Sequence, residues 1–139
     1  LPNDIDIAIV TDKEIKPELA GFHISIIKPE EFFKNPPSIV HTLFREGYSL
    51  KNNKSVAELY RFSSNILFVY ELSGIDMSKK VRIVNILRGK NKNKGMVEEN
   101  SGKWLANQVF LVPVEKDNIF EKFFLNFGVK FNKYYLLIH

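Results

Sequence analysis

Asp4 and Asp6, in the run Asn3-Asp4-Ile5-Asp6-Ile7, have the residue types and spacing for chemistry. Along an extended strand, residues i and i+2 point to the same side, so the two carboxylates can converge at the strand's mouth. Converging carboxylates repel each other unless a cation lies between them. Mg2+ suits that position, because it takes hard oxygen ligands and also binds phosphates. In phosphoryl transfer such a metal aligns the phosphates and offsets developing charge. The plainer alternative is two solvated acids at an exposed strand end.

A second cluster lies in Arg88-Gly-Lys-Asn-Lys-Asn-Lys-Gly95. From Met77 to Lys103 there are eight basic residues against two acidic ones, Glu98 and Glu99, while the whole chain carries a net charge of +4. The rest of the chain is therefore slightly acidic, and the basic character is local. Arg88, Lys90, Lys92 and Lys94 are candidate phosphate or nucleic-acid contacts, since alternating cations on a flexible loop can follow a phosphate backbone. Trp104, just beyond, can stack on a base or simply pack. A solubilising loop is the competing account of the lysines.

Other chemistry is sparse. The chain has no cysteine, which excludes disulfides, thiolate metal sites and a Cys nucleophile. His23, His41 and His139 have no metal-ligand spacing among themselves, and no Walker loop, Gly-x-Ser-x-Gly or Gly-x-Gly-x-x-Gly occurs.

The elements that must position these residues follow from hydropathy. Ile5 to Val10 and Phe22 to Ile27 read as strands, joined by a polar stretch containing Pro17. Pro29-Glu30-Glu31 opens a helix that stops before Pro36-Pro37, and Ser38 starts another that ends at Gly47. Lys51 to Lys54 is a polar turn and marks a domain boundary, and Ser55-Val-Ala-Glu58 has the spacing of a capping box. Beyond it come a strand at Asn65 to Leu72, a helix capped by Ser78, and a strand edge at Met96 to Glu99. A strand at Val109 to Val114, a helix capped by Asp117 and a last strand at Phe131 to Ile138 complete the chain. That order, β-α-β-β-α-β, predicts a ferredoxin-like unit over residues 55–139. Phe120, Phe123, Phe124 and Phe127 form one helical stripe, expected in the core or at a dimer face.

The 139 residues are 45% hydrophobic and 26% charged, a composition that affords a packed core and excludes wholesale disorder. No apolar run approaches the roughly 20 residues that span a bilayer. With no signal peptide ahead of the first strand, a cytoplasmic location is expected and a membrane partner is not.

The stretch NDIDIAIVTD, followed by FHISIIKPEEF and later FREGYSL, resembles the nucleotidyltransferase superfamily of the DNA polymerase β-like type, in its small stand-alone archaeal and bacterial form. The resemblance covers roughly residues 3 to 50 and implies a partial β-β-α unit over residues 1–50. It implies catalytic and Mg2+-binding roles for Asp4 and Asp6, and a nucleoside triphosphate as ligand. Where the family carries a third carboxylate on its second strand, this sequence aligns His23, with Ser25 two residues on. The family's Gly-Ser pair lies upstream of its aspartates, and because the chain opens at Leu1 rather than Met we expect a natural segment before it. The expectation is an α+β protein with Mg-dependent nucleotide binding and nucleotidyl transfer to an unknown acceptor. The alternative is a non-catalytic nucleic-acid-binding or protein-interaction module carrying a degenerate nucleotidyltransferase remnant. A homodimer is compatible with either.

Overall fold

The computed structural model describes residues 5–139, which form two compact units, one ending at Thr42 and the other running from Leu43 to His139. The division falls within one helix, whereas the sequence places a boundary at Lys51 to Lys54. Residues 51–53 form a turn between two short strands inside the second unit, and Lys54 opens the second of them. Mixed helix and strand make the protein α+β.

In the first unit, β1 (Asp6–Val10) pairs in parallel with β2 (His23–Ile27). The connection between them contains bends and turns but no helix, because Pro17 and the scattered charges offer no apolar stripe to bury. Helix α1 (Glu31–Lys34) follows, with the Glu31 carboxylate accepting from the Lys28 N–H at 3.2 Å. Helix α2 (Ser38–Glu46) starts after Pro36-Pro37 and crosses the division between units. Ile27, Phe32 and Val40 are the buried residues of this stretch.

The second unit opens with a hairpin of two-residue strands, β3 (Tyr48–Ser49) and β4 (Lys54–Ser55). The expected capping box starts α3 (Val56–Leu59): the Glu58 N–H donates to Ser55 Oγ and the Ser55 N–H to the Glu58 carboxylate, both at 3.2 Å. The main sheet then has four strands, β5 (Ser63–Glu71), β6 (Lys103–Ala106), β7 (Val109–Pro113) and β8 (Lys130–Ile138). Their order across the sheet is β6-β7-β5-β8, with every neighbouring pair antiparallel. Helix α4 (Met77–Arg88) and the short α5 (Met96–Glu99) lie between β5 and β6 in sequence, and α6 (Asp117–Phe127) lies between β7 and β8.

Alternation decides which face of the sheet is covered. Ile66, Phe68 and Tyr70 of β5 and Phe110 and Val112 of β7 point to one side and are buried, while Leu67, Val69, Val109 and Leu111 between them stay partly open. The covered face meets Ile83 and Leu87 of α4, Val97 of α5, and Phe120, Phe123 and Phe124 of α6. The phenylalanine stripe is therefore core. Phe68 and Phe110 have ring centroids 5.4 Å apart and each lies 5.0–6.2 Å from Phe120 and Phe124, the separation at which aromatic pairs attract beyond simple area burial.

Three local expectations are corrected. Met96–Glu99 is a helix rather than a strand edge: Gly95 enters it in extended conformation and Val97 drops into the core. The edge strand comes later, at Lys103–Ala106, where it pairs with β7. Helix α4 is capped by Asp76, not Ser78; the Asp76 carboxylate accepts from the Lys79 N–H at 2.9 Å. Asp117 is the first residue of α6 and makes no cap bond, because its carboxylate is drawn to β8. No helix among the described residues is long and apolar enough to cross a membrane.

Candidate functional site

At the mouth of the first unit's strand pair, the parallel register sets Asp6 opposite His23. His23 Nδ1 lies 3.2 Å from Asp6 Oδ1, and both side chains are mostly exposed, at 76% and 61%. The register accounts for the contact. Partners in a ladder point to the same side, so pairing β1 with β2 brings the Asp6 carboxylate beside the His23 ring. Asp4 lies outside the described residues. Among the described residues no group of three or more His, Cys, Asp or Glu side chains is placed to hold a metal ion. Asp6 and His23 alone offer one hard oxygen donor group and one imidazole, and imidazole is a poor partner for Mg2+. Ser25 sits two residues further along the same strand, opposite Ala8.

The second unit holds the basic cluster, in the connection between α4 and α5. Lys90, Lys92 and Lys94 are exposed, and none has an ion-pair partner among the described residues. Arg88 behaves differently. Its guanidinium carbon is 3.9 Å from the centroid of the Trp104 ring, and its Nη2 donates to Asn107 Oδ1 at 3.4 Å. Trp104 also packs edge-on against Phe110, with centroids 5.1 Å apart, and its buried Nε1 has no hydrogen-bond partner. Trp104 thus seals the edge of the core, with one face held by a cation. Burial pushes the Tyr70 phenol's pKa up, partly countered by the positive charge of Arg88.

A polar network that motif spacing alone does not disclose ties α6 to β8. Lys133 Nζ donates to both oxygens of Asp117, at 2.8 and 3.0 Å, and to Glu121 Oε2 at 2.9 Å. Tyr135 Oη donates to Asp117 Oδ2 at 2.9 Å, and the Arg45 guanidinium carbon sits 4.5 Å from the Tyr135 centroid. Partial burial works against the Lys133 ammonium, but its bonds to Asp117 and Glu121 more than reverse that and hold its pKa well above the usual lysine range. Burial, then the bond to Asp117, raises the pKa of Tyr135. A visible clue was present: Asp117 and Glu121 are spaced i, i+4, and Lys133 falls among positions of β8 that alternation assigns to the covered face. An open groove of about 640 Å3 adjoins the network, lined in part by Arg45, Tyr48, Ser64, Glu115, Asn118 and Tyr135.

His41 is exposed on α2, and His139 makes a ring contact with Phe62 at 5.5 Å. Neither joins the groups above. Comparison with family models, with curated proteins and with solved structures yields no match to this chain.

Proposed function

We propose that this chain is a nucleotidyltransferase-like protein that binds a nucleoside triphosphate with Mg2+ through Asp4 and Asp6. The observation that carries this reading is the Asp6–His23 register: the second aspartate of the Asp-x-Asp run and the aligned third position stand side by side at one strand mouth. The resemblance of residues 3 to 50 to that superfamily assigns this place to the metal and the triphosphate. Transfer to an acceptor further requires the upstream Gly-Ser segment, and the cytoplasm is the compartment that suits the substrate. Titration calorimetry of ATP with and without Mg2+ tests the reading. Metal-dependent binding that disappears in Asp6→Asn supports it, and binding retained at full strength in both Asp4→Asn and Asp6→Asn overturns it.

A second reading rests on a specific observation. His23 stands where an acid would complete the metal site, and its imidazole engages Asp6 directly. An imidazole there brings no negative charge to a divalent cation and is a poor ligand for Mg2+. On this reading residues 1–50 are a degenerate β-β-α remnant, and the chain is a non-catalytic nucleic-acid-binding module, alone or as a homodimer. Residues 55–139 then form a ferredoxin-like domain, a proposal supported by the strand order β6-β7-β5-β8 and by helices on one face of the sheet. His23→Asp separates the two readings. On the first reading the unaltered chain already binds ATP with Mg2+ and the restored carboxylate tightens that binding; on the second the unaltered chain binds none, and any binding appears only in the variant.

A further inference from the structure

The connection from Gly89 to Gly95 is closed at its base. Gly89 has a φ of 85°, a left-handed value that glycine adopts freely. A Cβ on Gly89 would collide with the carbonyl of Asn93, and one on Gly95 with the backbone nitrogen of Gly89 and the carbonyl of Leu87. The two glycines therefore let the two ends of the loop touch backbone to backbone. Inside this neck the Asn93 N–H donates to the Lys90 carbonyl at 3.2 Å, and Asn91 takes a positive φ of 60°, as asparagine tolerates. The Gly89 N–H donates to Asn85 at 2.9 Å and the Glu99 N–H to Gly95 at 3.0 Å, anchoring the two ends to α4 and α5. The sequence suggests a loose lysine-rich connection, whereas the structure has a short loop built on a fixed base.

We propose that this neck-closed loop is a phosphodiester-backbone cradle, in which Lys90, Lys92 and Lys94 bind successive phosphates of a nucleic acid without reading its bases. The inference rests on the nucleic-acid-binding reading above and is independent of the metal site. Three observations carry it. The three ammonium groups have no carboxylate partners among the described residues, so their charge is available to a ligand. The fixed neck lowers the entropy that a loop loses on binding. Base stacking is closed as an option, because the loop contains no aromatic residue and the nearby Trp104 ring is packed on Phe110 and covered by Arg88. Arg88, a candidate contact by sequence, is committed to Trp104 and Asn107 and acts as a support of the loop's first turn.

The test is fluorescence anisotropy with labelled 20-nucleotide oligomers, single-stranded homopolymers, a mixed sequence and a duplex, at 50 and 200 mM salt. Three phosphate contacts give a slope of log affinity against log salt of about −2.1 for single strands and about −2.7 for duplex, hence a loss of roughly 20- to 40-fold over that range. Affinities among sequences of one strand form should agree within about threefold. The variant Lys90→Gln/Lys92→Gln/Lys94→Gln should lose about tenfold or more at 50 mM salt and flatten the slope by about 2 to 3. Its charge-matched control, Lys79→Gln/Lys80→Gln/Lys103→Gln, should lose far less. Equal losses in the two triple variants, or full binding by the loop variant, would overturn the cradle while leaving nucleic-acid binding standing. No binding by the unaltered chain at 50 mM salt would overturn both. A strong base preference would overturn the backbone-only character of the site.

Discussion

The parallel pair of the first unit and the antiparallel sheet of the second are made of similar residues and stabilised very differently. In β1 no residue is fully buried, and in β2 only Ile27 is, while Val10 and Ile26 remain 48% and 46% exposed. In β5 every second residue from Ile66 to Tyr70 is buried beneath phenylalanines. Apolar content alone does not make a core; a strand is stabilised when its alternation meets a covering layer. The sheet is where the chain's folding energy concentrates, and the strand mouth is free to change its chemistry at little cost.

Truncation experiments can break this contrast. Phe124→Ala, which empties a site at the centre of the aromatic cluster, should cost about 3–5 kcal/mol in urea unfolding. Ile7→Ala, in half-buried β1, should cost under about 2 kcal/mol. Equal costs would dissolve the distinction between the two regions. The polar tie between α6 and β8 should have a smaller effect, about 1 kcal/mol for Lys133→Gln, because Lys133 is only partly buried. Its pH signature is more specific. The Lys133 pKa rises on folding, so its stabilisation is fully present below the ordinary value of 10.5 and disappears as the pH climbs through the folded value. The raised Tyr135 pKa acts in the same direction. Alkaline denaturation should therefore be less steep in Lys133→Gln than in the unaltered chain; an identical profile would remove the tie from the ledger of interactions. Asp76→Ala should cost about 1 kcal/mol, by loss of the α4 cap. Last and smallest, His23→Gln at the exposed mouth should shift stability by no more than about 0.5 kcal/mol. Any larger shift would mean that the Asp6–His23 contact supports the fold of the first unit.

Much of the second unit is legible from its residues, because long runs such as Ser63 to Glu71 and the phenylalanine stripe of α6 each fit one period only. The failures are short or long-range. Lys103–Ala106 is too brief and mixed to announce itself, and Met96–Glu99 is apolar at its start for the sake of one core residue, Val97. Asp76 and Ser78 are both competent caps, and only backbone geometry chooses between them. Asp117 is a good cap by type, yet a lysine sixteen positions away claims its carboxylate. At the candidate site, the Asp-x-Asp spacing is visible in the chain, but the contact with His23 is set by the parallel register, which no local pattern encodes. The lysines of the loop are equally plain in sequence; their fixed base is not, because it depends on two glycines meeting across six positions.

Inward-facing Lys133 has a further effect on β8. This strand lies at the edge of its sheet and ends in five consecutive exposed apolar or aromatic residues, Tyr134 to Ile138. A charge turned inward on an edge strand discourages pairing with another chain. Trp104 leaves a different consequence. It is the chain's sole tryptophan, and its indole lies beneath the guanidinium of the residue that opens the lysine loop. Its emission is therefore a built-in optical reporter: a polyanion that settles on Lys90 to Lys94 and tugs at Arg88 should change its intensity without any attached dye.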